Sequence, residues 1–163
     1  MLPVGVAASP KRMLKLTKKA DYGLIAMRHL AEHAARGSCS AKDLADAYGI
    51  PQEALAKILQ KLVRAKLLVS QHGIRGGYTL ARDAHQISAF DVIRAVEGPL
   101  FMTSCVTVHG ECEQVGRCTV KEPLRRVSQS IEEVLSRITI GEMARQRNHD
   151  GAEAQAELVT IEN

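Results

Sequence analysis

Ala45-Asp-Ala-Tyr-Gly49-Ile-Pro-Gln-Glu-Ala-Leu55 decides the fold. A helix-turn-helix needs a small residue, then a turn glycine, then an aliphatic residue at about these intervals. Ala45 lets two helices approach closely, and Gly49 supplies a turn that wants a positive φ. Leu55 packs the second helix onto the first. A plain helical hairpin would satisfy the same spacing, so the flanking sequence must decide. Upstream, Ser40 is a good N-cap for a helix over Ala41–Tyr48, with Leu44 and Ala45 turned inward. Downstream, Pro51 suits the first position of a helix running to about Lys66. Leu55, Ile58, Leu59, Leu62 and Leu67 form its apolar side. Gln52, Glu53, Lys57, Gln60, Lys61 and Arg64 form the other, where side chains can reach phosphates and base edges in a major groove. A solvated helix face would look the same.

The next segment favours DNA. Leu67-Leu-Val-Ser70 and Tyr78-Thr-Leu-Ala81 read as short strands around Gln71-His72-Gly-Ile-Arg75-Gly-Gly77. A helix-turn-helix followed by a glycine-rich basic hairpin is a winged helix. Its tip can place Arg75 and His72 in a minor groove, where negative potential concentrates. A phosphate-binding loop is excluded, because no Gly-Lys-Ser/Thr closes the hairpin and no long helix follows it. Thr17 caps an earlier helix with Ala20, Leu24, Met27, Leu30 and Ala31 inward, stopping near Arg36-Gly37. Ser88 begins another, through Val96, that ends at Gly98-Pro99.

Cys105-Val-Thr-Val-His109-Gly-Glu-Cys112-Glu-Gln-Val-Gly-Arg-Cys118 follows, with three thiols in fourteen residues. Soft thiolates on one polar loop suit zinc or an iron–sulfur cluster. The spacing is neither a zinc ribbon's paired knuckles nor a ferredoxin run. Pro123 then starts a long helix in which Leu124, Val127, Ile131, Val134 and Ile138 recur at three and four residues, widened by Leu135. Little chain remains to cover that stripe, so a twofold dimer is the economical arrangement. Thr139-Ile-Gly-Glu142 reads as a capping box for a last short helix.

Composition agrees. The chain has 163 residues, the size of one domain with an added oligomerisation element. Aromatics are 3%, so the core must be aliphatic. No apolar run is long enough to span a bilayer, and a cytoplasmic location is expected, where clustered thiols suggest metal or redox work. Residues 1–82 carry fourteen Lys and Arg against five Asp and Glu, a net +9; residues 83–163 carry eight against thirteen, a net −5. A basic first half suits a polyanionic partner. Lys18, Lys19 and Tyr22 are candidate phosphate contacts in that half. No grouped hydroxyl, histidine and carboxylate and no nucleotide-binding loop support an enzyme.

Several pieces together resemble the Rrf-type iron–sulfur-sensing winged-helix regulators. They are Leu16-Thr-Lys-Lys-Ala-Asp21-Tyr22-Gly23, Gly73-Ile-Arg-Gly-Gly-Tyr78-Thr-Leu-Ala81, Ile87-Ser88, Asp91-Val-Ile93, Ala95-Val-Glu-Gly-Pro99 and the three cysteines. The likeness spans Met13 to Met143 and is greatest for regulators of the SUF iron–sulfur assembly operon. It implies a homodimeric repressor on a double-stranded operator, with Cys105, Cys112 and Cys118 holding a [2Fe–2S] or [4Fe–4S] cluster. Some members place a fourth ligand, histidine, three residues after the third cysteine; here that position is Lys121. Asp21 is one replacement, since nitric-oxide-sensing relatives use an aspartate there, donated by the other subunit. His109 is the other. A closed zinc site of the three cysteines and His109 is the competing reading. Cys39 stands apart from the set. The expected organisation is a mainly α chain with a small β-hairpin wing. It comprises a disordered extension over 1–12, a winged helix-turn-helix over 13–97 and a cysteine loop over 98–122. A dimerisation helix region over 123–144 and a disordered tail over 145–163 complete it.

Overall fold

The computed structural model describes residues 16–74, 76–99 and 116–145. The expected disorder at 1–12 and beyond 145 lies outside them, as do Arg75, Cys105, His109 and Cys112. The elements are α1 (Lys18–Glu32), a 3-10 turn (Ala34–Arg36), α2 (Ala41–Tyr48), α3 (Gln52–Arg64), β1 (Leu68–Gln71) and β2 (Gly77–Leu80). A second 3-10 turn (Ala84–Gln86), α4 (Ala89–Glu97) and α5 (Lys121–Arg137) follow, then a short helix over 140–145. This is the expected mainly helical chain with a two-stranded antiparallel hairpin, in which Leu68 pairs with Leu80 and Gln71 with Gly77.

Local chemistry sets most boundaries. Thr17, Ser40 and Ser88 each accept an amide from the first turn of α1, α2 and α4, which satisfies donors that no helix can pair internally. Gly49 ends α2 at φ +62. The box at Thr139 is reciprocal: Thr139 N–H donates to the Glu142 carboxylate and Glu142 N–H to the Thr139 hydroxyl. Some boundaries differ from the sequence reading. The α-helix of α1 stops at Glu32, and the 3-10 turn carries the chain on to Gly37. Helix α3 stops at Arg64 without a glycine, with Lys66 in the left-handed region at φ +59. Helix α5 begins at Lys121, two residues before Pro123. Proline is accepted there because first-turn N–H groups have no intrahelical partner.

The core is aliphatic. Met27, Leu44, Leu55, Leu59, Leu62, Ile87, Val92 and Ile93 are all buried, each contributing roughly 1.5–3 kcal/mol by leaving water. On α1 the buried line runs through Ala20, Gly23, Ala26, Met27 and Leu30, while Leu24 and Ala31 are only half-buried. The chain after α5 returns to this core. Ser88 and Thr139 form a bridge, Ile140 N–H donates to Ile87 O at 2.9 Å, and Ile140 is fully buried. Among the described residues no helix is long and apolar enough to cross a membrane.

Candidate nucleic-acid interface and cysteine segment

Helix α3 shows opposite chemistry on its two sides. Leu55, Ile58, Leu59 and Leu62 are buried, while Gln52, Glu53, Lys57, Gln60 and Arg64 are exposed. Amides and cations on one rigid face can pair with purine edges and reach phosphates. Ala45, 3% exposed, and Leu55, 0% exposed, sit in the core where the two helices meet. Lys61, exposed on the same side, also makes an internal contact. Its ammonium donates to Val96 O, at the end of α4, at 2.7 Å. Carbonyls in a last helical turn lack partners and carry the negative end of the dipole, so a lysine is drawn to them.

The wing is fixed at its base. Cys39 N–H donates to Tyr78 O at 3.1 Å, and Tyr78 N–H to Cys39 O at 2.9 Å. A Cβ at Gly77 would lie 2.6 Å from the Cys39 carbonyl, so only glycine fits. The Cys39 thiol, half-buried, lies 4.0 Å from His29 Nε2, whose Nδ1 meets the Tyr48 hydroxyl at 3.0 Å. Burial, then the nearby Asp43 carboxylate, pushes the Cys39 thiol up. Burial, then the stacked His33 ring, holds the His29 imidazole down. The sequence reading missed this anchoring; the paired glycines Gly76-Gly77 were its only signal. His72 is exposed on the hairpin.

At the head of α1, Lys18, Lys19 and Asp21 are exposed, and Tyr22 is half-buried against the core. The Thr17 hydroxyl beside them donates to the Glu97 carboxylate. Since Lys61 meets Val96, the head of α1 and the last turn of α3 converge on the last turn of α4.

Cys118 is half-buried three residues before Lys121, the exposed first residue of α5. Among the described residues no three His, Cys, Asp or Glu side chains converge as a metal site; two of the three clustered thiols lie outside that set. As a donor set, three thiolates fit iron or zinc and would not suit a hard cation. Helix α5 buries no residue in this chain. Val127 is 43% and Val134 58% exposed. With Ile131 and Leu135 they line an apolar hollow of about 430 Å³.

Residues 16–146 match the Rrf2 family, described as an iron-dependent transcriptional regulator. The chain belongs to the Rrf2 family. The HTH-type transcriptional regulator IscR of Vibrio campbellii is 35% identical over 130 residues, covering 80% of this chain and 77% of the relative. The solved structure of T. potens IscR is 34% identical with a TM-score of 0.66, over 82% of this chain and 88% of that one. CymR (YrzC), the global cysteine regulator of B. subtilis, is 31% identical with a TM-score of 0.65, over 82% and 98%. The family resemblance and the winged-helix expectation both hold. This Rrf2 protein is a transcriptional regulator, and its named relatives are regulators and not enzymes.

Proposed function

We propose that the protein is a homodimeric, DNA-binding repressor that reports iron–sulfur cluster status and controls iron–sulfur assembly genes. The observation that carries this reading is the position of the thiols. The segment bearing them leaves α4 at Gly98 and reaches α5 at Lys121, three residues after Cys118, so it joins the winged half to the helix with the exposed apolar side. Cys105, Cys112 and Cys118 would hold the cluster, which supplies a redox- and oxygen-sensitive iron centre when bound. Lys121 cannot complete the set while protonated, which leaves Asp21 or His109 as the fourth ligand. Asp21 is exposed in the first turn of α1, where the helix dipole alone also favours a carboxylate.

On the DNA side, Gln52, Glu53, Lys57 and Gln60 would face the major groove, with His72 and Arg75 in the minor groove. Lys18, Lys19 and Tyr22 would meet phosphates. Ordering three thiolates around one centre stabilises one conformation of the segment, and through α5 this sets the spacing of the two recognition helices. The test is iron, sulfide and zinc content of anaerobically purified protein, beside Cys105→Ala, Cys112→Ala and Cys118→Ala. Iron with sulfide and a visible absorbance lost in each variant supports the reading. Stoichiometric zinc without iron supports the closed zinc site instead.

A further inference from the structure

The last turn of α4 receives contacts from both helices of the candidate DNA face. Lys61 of α3 donates to Val96 O at 2.7 Å. Thr17, the N-cap of α1, donates to the Glu97 carboxylate. Gly23 of α1 lies so close that an added Cβ would sit 3.1 Å from Val96 Cγ2. The Gly98 amide closes the helix on Arg94 O at 2.9 Å, and its φ of +88 turns the chain out. Gly98-Pro99 then leads directly toward the thiols.

We propose that Lys61 is a positioning residue, whose bond to the Val96 carbonyl couples the cysteine segment to the orientation of α3. This rests on the sensor reading above. A charged donor on a carbonyl of the helix's negative end makes a strong, directional link. Gln60, Lys61 and Arg64 are all exposed on α3, and of the three it is Lys61 whose ammonium bonds the last turn of α4. A rearrangement that moves Gly98-Pro99 pulls on the last turn of α4. With Lys61 in place that displacement reaches α3 as a unit, because α3 is otherwise held by the rigid core. Without it, the end of α4 stays packed on α1 through Val96 and Glu97 but loses its polar link to α3.

Lys61→Met keeps the aliphatic stem and helix propensity but removes the donor; Lys61→Arg keeps a charged donor. The DNA probe is a duplex selected from a random-sequence pool by the wild-type, cluster-loaded protein. In metal-free protein, Lys61→Met should speed amide exchange at Gly98 by about 2–12-fold, the weight of one hydrogen bond. Iron content and dimerisation should match the wild type. The ratio of cluster-loaded to cluster-free affinities, about 5–150-fold for typical coupled sites, should fall toward one in Lys61→Met and be largely kept in Lys61→Arg. Unchanged Gly98 exchange overturns the link. Equal weakening of both forms, with a salt slope lower by about one, would mark a phosphate contact and also overturn it. A wild-type ratio that survives Lys61→Met sinks the coupling alone. A wild-type ratio of one sinks the sensor reading and the coupling together.

Discussion

Gly49→Ala and Lys66→Gly are a matched pair of perturbations on the recognition helix. The two positions flank α3 and share one backbone conformation, with φ +62 at Gly49 and +59 at Lys66. At Gly49 an added Cβ meets nothing within 4 Å, so no clash contributes and only the backbone term remains. An L-residue in the left-handed region costs about 1–2 kcal/mol. Alanine has fewer unfolded conformations than glycine, which offsets about 0.4–1 kcal/mol. The net expectation for Gly49→Ala is a loss of up to about 1.6 kcal/mol. Lys66 is exposed, and its amide already closes α3 on Val63 O at 2.9 Å. Glycine keeps that amide and removes the strain, so Lys66→Gly should gain up to about 1.6 kcal/mol by the same two terms. For a chain of this size each kcal/mol moves Tm by about 2–4 °C. Urea unfolding at fixed protein concentration measures both, since any dimer makes stability depend on concentration. Opposite signs are expected. A stabilising Gly49→Ala, or a destabilising Lys66→Gly, would refute the turn geometry on which the helix-turn-helix reading stands.

Three further outcomes are expected. Ile131→Asp places a charge on the apolar side of α5 and should yield monomers that bind DNA poorly, read by sedimentation at micromolar concentration; a wild type that is itself monomeric there would contradict the dimer. Lys57→Ala should cost about 1–3 kcal/mol of operator binding and blunt sequence preference, whereas Lys19→Ala should weaken all duplexes alike and lower the salt slope by about one. Stability should fall on acidification. His29 is held below its ordinary value of 6.5 by burial and by His33, so its contribution is complete above 6.5 and is lost as pH falls through the folded pKa. His33, Arg28 and Arg36 oppose protonation and Glu32 favours it. His29→Gln should show a smaller drop in melting temperature between about pH 7.5 and about pH 5.5; an unchanged drop would remove His29 as the cause.

The parts legible in the sequence are those with local chemical punctuation. Ser40, Gly49, Ser88 and the Thr139 box each act within four residues of themselves, and the structure forms each one. The apolar period of α3 was legible for the same reason, and so was its exposed polar side. What could not be read depends on distant partners. The Cys39–Tyr78 bridge joins residues separated by the whole of α2 and α3. Gly77 reads in sequence only as part of a glycine-rich hairpin, because the backbone it must clear belongs to Cys39. Lys61 has the period of an outward residue and is exposed, and only the proximity of α4 gives its ammonium a backbone partner. The end of α3 was missed because Lys66 takes the left-handed turn that a glycine would have advertised. The cysteine set is legible as a donor set from spacing and residue type alone. Its geometry beyond Cys118 lies outside the described residues.

The proposed regulator both reads DNA and reports a cluster through the segment between α4 and α5. The most direct test of this is the affinity of the anaerobic protein for its selected duplex, before and after the cluster is removed, at one salt concentration. Removal should change affinity by about fivefold or more, or change the preferred sequence, as expected for coupled sites. The same affinity and the same sequence preference in both forms would contradict it.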